Sequence, residues 1–309
     1  MVPAARSYDG VEFRLTKSPS SAHHFAGMFS YTYSKLRGNY TGLTSSDISD
    51  GQQGGRSSPN NSRAFDEPYF QYNSFGGSSS GLLPTDRPNT FKGYGYYELS
   101  WLKKFSTDFG AFQYFYSGSP MSSYLDVGAN TFWAVYAWDR GKWVDASQDP
   151  STGVVTMSAP RTRRTPWYVQ TDFNLTQNFK ITESKSLSFT INATNLFNQR
   201  SVTVFNQDIT SLDLAGAGQY LTLPPTNPGA VCSRGTSGST EVPQCSIASA
   251  DFFYSAAMHP YNVQGLMNDR RSSCGASIGC ISTAVNSAYG KPYYFQLARN
   301  IRLGLAFRF

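Results

Sequence analysis

The stretch YYFQLARNIRLGLAFRF, residues 293–309, alternates between two kinds of side chain along its whole length. Its odd-numbered positions are apolar or aromatic except for Arg299, whereas most of its even-numbered positions are small or polar. Alternation with a period of two predicts a β-strand that has one apolar and one polar face. At ~3.3 Å per residue this stretch would extend about 56 Å, whereas typical strands have about 5–6 residues. Residues 293–309 therefore predict a single strand that is long enough to cross a membrane.

Upstream segments repeat this alternation and come in pairs that are separated by short polar turns. Each pair predicts an antiparallel hairpin, although the aromatic residues of the hairpin around Phe105-Ser106 fall on both faces. The predicted strands are about 8–18, 25–34, 88–103, 107–118, 167–181, 187–194 and 293–309. The sequence thus predicts an all-β fold, an antiparallel up-and-down meander of about seven long strands whose first and last members are edges.

The connections between these strands alternate strictly between short and long. Short turns are expected near 18–22, 104–107 and 182–185, and long loops near 38–87, 119–165 and 200–292. Loops of that length are uncommon inside a compact soluble domain. Outer-membrane barrels combine short periplasmic turns with long extracellular loops. The pattern therefore favours a transmembrane barrel with long extracellular loops and with its C-terminus in the periplasm.

The composition agrees with this class. Aromatic residues make up 15% of the chain and charged residues only 15%, against about 25% charged residues in ordinary soluble domains. No apolar run reaches the roughly 18 residues that a transmembrane helix needs. The net charge of +6 is spread widely, apart from the cluster of Arg161, Arg163 and Arg164 and the pair Arg270-Arg271, and no nucleic-acid-binding motif accompanies it. The main interpretation is that these are loop charges in water, and contact with anionic lipopolysaccharide is the minority interpretation.

Seven strands are not expected to form a complete bacterial barrel, because single-chain barrels of this kind have an even number of strands. The polar face also carries charges that need water or partners, which favours a wide and hydrated lumen. These charged residues are Glu12, Arg14, Glu98, Asp172, Lys180, Arg302 and Arg308. Residues 1–8 contain no apolar signal region. We therefore expect further barrel sequence upstream of this chain.

Few residues are candidates for chemistry. His23, His24 and His259 have no paired catalytic motif beside them, so we expect no enzyme, no metal and no cofactor. Cys232, Cys245, Cys274 and Cys280 contain no C-x-x-C pair, and the cell surface is oxidising. We expect the two local disulfides Cys232–Cys245 and Cys274–Cys280, because loop-closure entropy favours near partners. A four-cysteine zinc site is the alternative.

Four runs of sequence resemble a known family. The closing residues Arg302, Gly304, Leu305, Phe307 and Phe309 resemble the C-terminal β-signal of outer-membrane proteins, which the barrel-assembly machinery reads. The run NATNLFN, residues 192–198, is similar to a run in the penultimate strand of TonB-dependent receptors. The runs SYTYSKLRGNY, residues 30–40, and TDRPNTFK, residues 85–92, resemble the Oar-like branch of that family.

The resemblance implies that residues 1–309 are the C-terminal part of a 22-stranded transmembrane barrel in the bacterial outer membrane. It also implies an upstream plug through which TonB drives uptake, and contact with outer-membrane lipid and lipopolysaccharide. The first hypothesis is therefore uptake of a substrate that no motif identifies. The alternative is a cell-surface adhesion or interaction barrel without transport, and a barrel enzyme is disfavoured.

Overall fold

The computed structural model describes residues 3, 5–20, 24–39, 79–126, 134–209, 221–223, 231–232, 245–247 and 285–309. Within these ranges the chain forms nineteen β-strands and no helix, so no described helix could cross a membrane. The long strands are β1 (Arg6–Lys17), β2 (Phe25–Gly38), β4 (Asn89–Leu102), β5 (Phe105–Tyr116), β12 (Tyr168–Lys180), β13 (Ser186–Thr194) and β19 (Asn300–Arg308). The short strands are β3 (Gly81–Leu82), β6 (Tyr124–Asp126), β7 (Ala134–Tyr136), β8 (Lys142–Trp143), β9 (Ala146–Gln148), β10 (Val155–Met157), β11 (Arg161–Thr162), β14 (Val202–Phe205), β15 (Leu221–Leu223), β16 (Val231–Cys232), β17 (Cys245–Ile247) and β18 (Pro292–Phe295).

The seven long strands form one antiparallel sheet in the order β1-β2-β4-β5-β12-β13-β19, and β3 adds to the end of β2. Each long strand pairs with its neighbours among the long strands, so the predicted meander is confirmed. β1 and β19 lie at the two ends of this order, as expected. One end of the sheet carries the short turns and is called the short-turn end below. The other end carries the long connections and is called the long-loop end.

The register of the sheet keeps residue parity across all seven strands. Even-numbered residues pair with even-numbered residues from β1 to β19, as in the pairs Glu12 with Thr32, Asn174 with Asn192, and Asn192 with Arg302. Residues that pair directly across strands share a face of the sheet. Up to the register shift at the end of β4, beyond which Leu102 pairs with Phe105, the even residues of the long strands therefore lie on one face, the even face, and the odd residues lie on the other, the odd face.

The prediction of one continuous strand over 293–309 is wrong. The chain leaves the sheet at residues 296–299, and β18 pairs with β14 while β19 pairs with β13. The turn after β13 causes this break, because the Asn195 side-chain amide donates to Leu297 O and the Arg299 backbone N–H donates to Asn198 Oδ1. Arg299, the exception to the alternation, lies in the break rather than in a strand.

The turn between β4 and β5 also differs from its expected position around Phe105-Ser106. Phe105 begins β5, and the turn consists of Lys103 and Lys104. The Phe105 ring packs edge-on against Phe179 of β12 with centroids 5.3 Å apart, which keeps Phe105 in the sheet. A register shift between Ser100 and Leu102 absorbs the shorter turn.

The described parts of the long connections are folded rather than structureless. They contain short antiparallel strand pairs and enclose a small apolar core at the long-loop end of the sheet. The buried residues of this core are Leu83, Met121, Tyr124, Tyr136, Trp143, Val144, Val155 and Ile209. We call this part of the chain, residues 79–88, 117–126, 134–165, 201–209 and 285–296, the loop body.

Candidate functional site

The odd face of the sheet is apolar and exposed. Its large hydrophobic side chains are solvent-exposed, with exposed fractions of 73% for Val11, 68% for Leu303 and 73% for Leu305. Monomeric soluble proteins rarely expose contiguous apolar patches above a few hundred Å². Further exposed members of this face are Phe13, Leu15, Phe25, Phe29, Tyr33, Tyr97, Trp101, Phe105, Phe115, Phe189, Ile301 and Phe307. The face therefore needs an apolar partner such as lipid.

Aromatic rings concentrate at both ends of the odd face. At the long-loop end, Tyr31 stacks on Phe91 with centroids 4.4 Å apart, and Phe91 lies 6.5 Å from Trp167. At the short-turn end, Phe105 and Phe179 pack edge to face. Aromatic girdles at both membrane interfaces flank the apolar band of transmembrane barrels. The odd face resembles such a band, because it is apolar and has aromatic residues at both of its ends.

Several polar side chains on the odd face of the central strands are hydrogen-bonded to one another. The Thr107 hydroxyl donates to Gln177 Oε1 at 2.6 Å, and the Trp101 indole N–H donates to the same hydroxyl at 2.7 Å. Nearer the long-loop end, the Thr171 hydroxyl donates to Gln113 Oε1 at 2.6 Å. Because a polar group in an apolar medium is costly unless it is bonded, these pairs make the odd face compatible with lipid.

The even face carries a polar network that spans four strands. Asp108 accepts hydrogen bonds from the Tyr96 hydroxyl at 3.1 Å and from the Asn178 amide at 3.0 Å. The Ser188 hydroxyl donates to Asn178 Oδ1 at 2.7 Å, and Asn174 bonds Asn192 on the same face. Such a face suits water or a polar ligand and is unsuited to lipid.

An ion pair connects the loop body to the sheet. Asp86 is buried, and its carboxylate pairs with the Arg164 guanidinium and accepts the backbone N–H of Leu36. Arg164 also donates to the backbone oxygens of Asp86 and Gly118. These bonds hold together the end of β2 and the chain segments next to β4, β5 and β12.

Arg87, beside this ion pair, lies over the Tyr116 ring at 5.8 Å and donates to Ser117 O at 2.9 Å. Its burial lowers the pKa of the guanidinium from its ordinary value, the Tyr116 charge opposing this shift. Arginine stays protonated at physiological pH even so. Arg87 is thus a positive group fixed where the sheet meets the loop body.

Aromatic stacking organises the outer part of the loop body. The Trp143 and Tyr289 rings are parallel with centroids 4.5 Å apart, and Arg163 lies 5.0 Å above Trp143. Burial raises the pKa of the Tyr289 hydroxyl above its ordinary value. Asp145 pairs with both Arg161 and Arg163. This arginine cluster, noted in the sequence, is therefore partly neutralised within the chain.

The β-signal residues lie in or directly after β19. Arg302 and Gly304 belong to the even face, and Leu305 and Phe307 to the odd face, while Phe309 follows the strand and is 92% exposed. A Cβ atom at Gly304 would lie 3.7 Å from Thr190 Cβ, which is an ordinary contact. Packing within the described chain therefore does not require glycine at this position.

The structure describes two of the four cysteines. Cys232 of β16 lies directly opposite Cys245 of β17 in the register of their strands, which brings together the backbones of one expected pair. Cys274 and Cys280 lie outside the described residues, as do His23 and His259. The disulfides remain predictions. His24 accepts the Glu98 backbone N–H through its carbonyl, and the described residues contain no cluster of metal ligands.

Sequence reasoning missed the residues that hold the long-loop end together. Asp86 lies in the run TDRPNTFK, but its partner Arg164 is 78 residues away. Asn195 lies in the run NATNLFN, is buried, has a positive φ of 53° and bonds both Gln199 O and Leu297 O. Both runs were noted only for their resemblance. An Asn directly after a strand is a local turn signal that could have been used, whereas no local signal pairs Asp86 with Arg164.

Among curated proteins, the chain is similar to the TonB-dependent transporter Oar of Myxococcus xanthus. It is 28% identical over 209 residues, which cover 68% of this chain and 17% of the transporter. The chain therefore spans about a sixth of the length of the curated relative that it matches. No family model matches the chain, and no solved structure matches it. The similarity supports a relationship to TonB-dependent receptors.

Proposed function

We propose that this chain forms part of the barrel wall of a TonB-dependent outer-membrane receptor that takes up a substrate. The observation that carries this proposal is the constant parity of the sheet, which puts an exposed apolar surface on one face and a polar network on the other. Barrels that cross the outer membrane alternate apolar residues outward and polar residues inward. The similarity to a TonB-dependent transporter supports the same assignment.

The proposal includes the whole architecture that the sequence led us to expect. The sheet is then part of a 22-stranded barrel, closed because open sheet edges are not viable in lipid. The odd face contacts lipid and, near its outer end, lipopolysaccharide. The long-loop end faces outward and the C-terminus lies in the periplasm, since periplasmic turns are short. Residues 1–309 then form one partial barrel domain.

The remaining partners follow from this architecture. The barrel-assembly machinery would read Arg302, Gly304, Leu305, Phe307 and Phe309 at the short-turn end. TonB would act through a plug encoded upstream, as in this family. The even face would line the lumen, and the folded loop body would form part of its outer mouth, where a substrate first meets the receptor.

Accessibility of single cysteines in whole cells tests the orientation. Val154→Cys lies in the loop body and Ser184→Cys in a short turn, and both native side chains are exposed. A membrane-impermeant maleimide should label Val154→Cys in intact cells above the background of the unmodified chain. Ser184→Cys should be labelled only after the outer membrane is permeabilised. The reverse order of labelling would contradict the proposed orientation.

Growth phenotypes test transport against adhesion. Strains that lack this gene or lack TonB should share a growth defect on at least one sole source of iron, carbon or another nutrient. A plasmid copy of the gene should correct the defect of the first strain only. Loss of surface attachment with normal growth on every nutrient would instead support the alternative, a cell-surface interaction barrel.

A further inference from the structure

A cavity of about 660 Å³ opens at the short-turn end of the even face. The ends of β4, β5, β12, β13 and β19 enclose it together with the turns that follow β4 and β12. Ligand pockets for small molecules commonly have volumes of about 300–1,000 Å³. The network around Asp108 borders this cavity through Asn178 and Ser188, but it does not involve the charged residues of the lining, which the proposed transport function does not explain.

The charged residues of the lining are mostly cations. Its positive side chains are Lys103, Lys104, Lys180, Lys185 and Arg308, and its negative ones are Glu98 and Glu183. Glu183 pairs with Lys180 at 3.7 Å, but the Glu183 side chain is 99% exposed. An ion pair in such high dielectric is weak. The cavity therefore keeps a positive potential that this one pair does not cancel.

Most of the uncharged polar side chains of the lining carry hydroxyl groups, and the other is the amide of Asn178. Ser100, Ser184 and Ser186 lie among the cations, and further serines and Thr182 extend the same surface. Ammonium and guanidinium groups donate without accepting, and hydroxyls donate readily. Phosphate oxygens are strong acceptors that take several charge-assisted hydrogen bonds at once. We infer that this cavity binds a soluble, multiply charged phosphate compound.

The position of the cavity favours a soluble anion over a lipid headgroup. The lining residues on β12 and β13, Asn178, Lys180, Ser186 and Ser188, belong to the even face, which is opposite the exposed apolar face. A lipid phosphate would approach from the odd face. The inference does not depend on transport, because it concerns binding at the end of the sheet opposite the loop body.

The test measures binding of sodium tripolyphosphate to the protein purified from membranes in non-ionic detergent. Calorimetric titration at low ionic strength should show saturable binding that weakens as salt is added, because salt screens exposed charges. The double variant Lys104→Gln/Lys185→Gln should bind about tenfold more weakly or worse, since two charge-assisted bonds are lost. The charge-preserving variant Lys104→Arg/Lys185→Arg should keep most of the affinity.

The matched control removes two lysines outside the cavity, in Lys35→Gln/Lys92→Gln. Its affinity should stay within about twofold of the unmodified protein, because only long-range screened charge changes. Heat-modifiable migration in gels checks that each variant is folded. No saturable binding, or equal weakening in the control, would overturn the inference. Equally tight binding of a poly-glutamate peptide would overturn the assignment to phosphate.

Discussion

Single residues matter most in this chain where two distant segments meet at the long-loop end. Asp86 is 1% exposed, while its partner Arg164 keeps 24% of its side-chain surface. Removing one member of a buried pair leaves an uncompensated charge, whereas exposed pairs contribute little. Asp145 and Arg161, with side chains that are 50% and 59% exposed, form an exposed pair in the same loop body. The chain thus offers a buried ion pair and an internal control for it.

Asp86→Ala should lower the free energy of unfolding by about 3–5 kcal/mol, because the partly buried Arg164 guanidinium and the Leu36 backbone N–H both lose their partner. Arg161→Ala, which removes only the exposed pair with Asp145 and leaves the bond from the buried Trp143 indole to Asp145 in place, should cost at most about 1 kcal/mol. Urea titration of the protein in detergent micelles, followed by tryptophan fluorescence, measures both changes. Equal effects of the two substitutions would show that burial of Asp86 does not control its contribution.

Asn195→Ala should destabilise the protein by about 2–4 kcal/mol, because it removes buried hydrogen bonds and puts alanine at positive φ. The Asn195 side chain bonds Gln199 and Leu297, whereas the Asn198 side chain, at a φ of 52°, accepts one hydrogen bond among the described residues, from Arg299 N. Asn198→Gly keeps the backbone conformation available and should cost about 1 kcal/mol or less. The same urea titration compares them, and a larger loss in Asn198→Gly would contradict this account.

At the scale of elements, the alternation within each long strand predicts where that strand forms, whereas the position of a short strand depends on its contacts with other segments. β12 pairs with β5 from Tyr168 to Phe179 without a shift, and its alternation is visible in the sequence. β18 and β14 pair irregularly over four residues each. A short strand has little local pattern of its own, so contacts with other segments decide where it forms.

The next prediction concerns a disulfide between the paired strands β16 and β17. Cys232 and Cys245 are opposite one another, and directly opposed residues in antiparallel strands have Cα atoms about 4.5–5.5 Å apart, within the range that a disulfide spans. We expect peptide mapping without reduction to recover a Cys232–Cys245 cross-link together with Cys274–Cys280. Recovery of Cys232 with either of the other two cysteines would refute this connectivity.

At the scale of the whole molecule, the two faces of the sheet are suited to different environments, the odd face to lipid and the even face to water. Because parity is constant from β1 to β19, neighbouring residues of one strand differ only in the face that they occupy. Leu175 and Thr176 of β12 lie at the middle of the strand on the odd and the even face, respectively. A charge introduced at each of these two positions in turn therefore tests which face contacts lipid and which contacts water.

Leu175→Arg should destabilise the inserted barrel by about 2–4 kcal/mol, the cost of a charge near the middle of the bilayer on the lipid face. Thr176→Arg should be tolerated, with folded protein in the outer membrane close to the normal amount. Heat-modifiable migration and protease resistance of outer-membrane fractions measure the folded fraction. Similar losses for both variants would show that the odd face does not contact lipid.

The sequence by itself determined the strand class, the number of long strands and their neighbours. Period-two alternation depends only on the backbone pleat, so it is readable within each segment, as in residues 167–181. Short polar turns then force neighbouring segments to pair. The sequence also located the long connections and drew attention to the runs at 85–92 and 192–198, although it assigned no structural role to Asp86 or Asn195.

Only the tertiary structure decided where the last strand breaks, how the loop body packs and which lysines share a cavity. Asn195 ends the alternation at Leu297 by a hydrogen bond between residues 102 positions apart, and Arg164 reaches Asp86 across 78 positions. Lys104 and Arg308 line one cavity only because β4, β5, β12, β13 and β19 lie side by side at the short-turn end of the sheet. Such contacts join side chains that no local periodicity relates, because their distance is set by the register of the whole sheet.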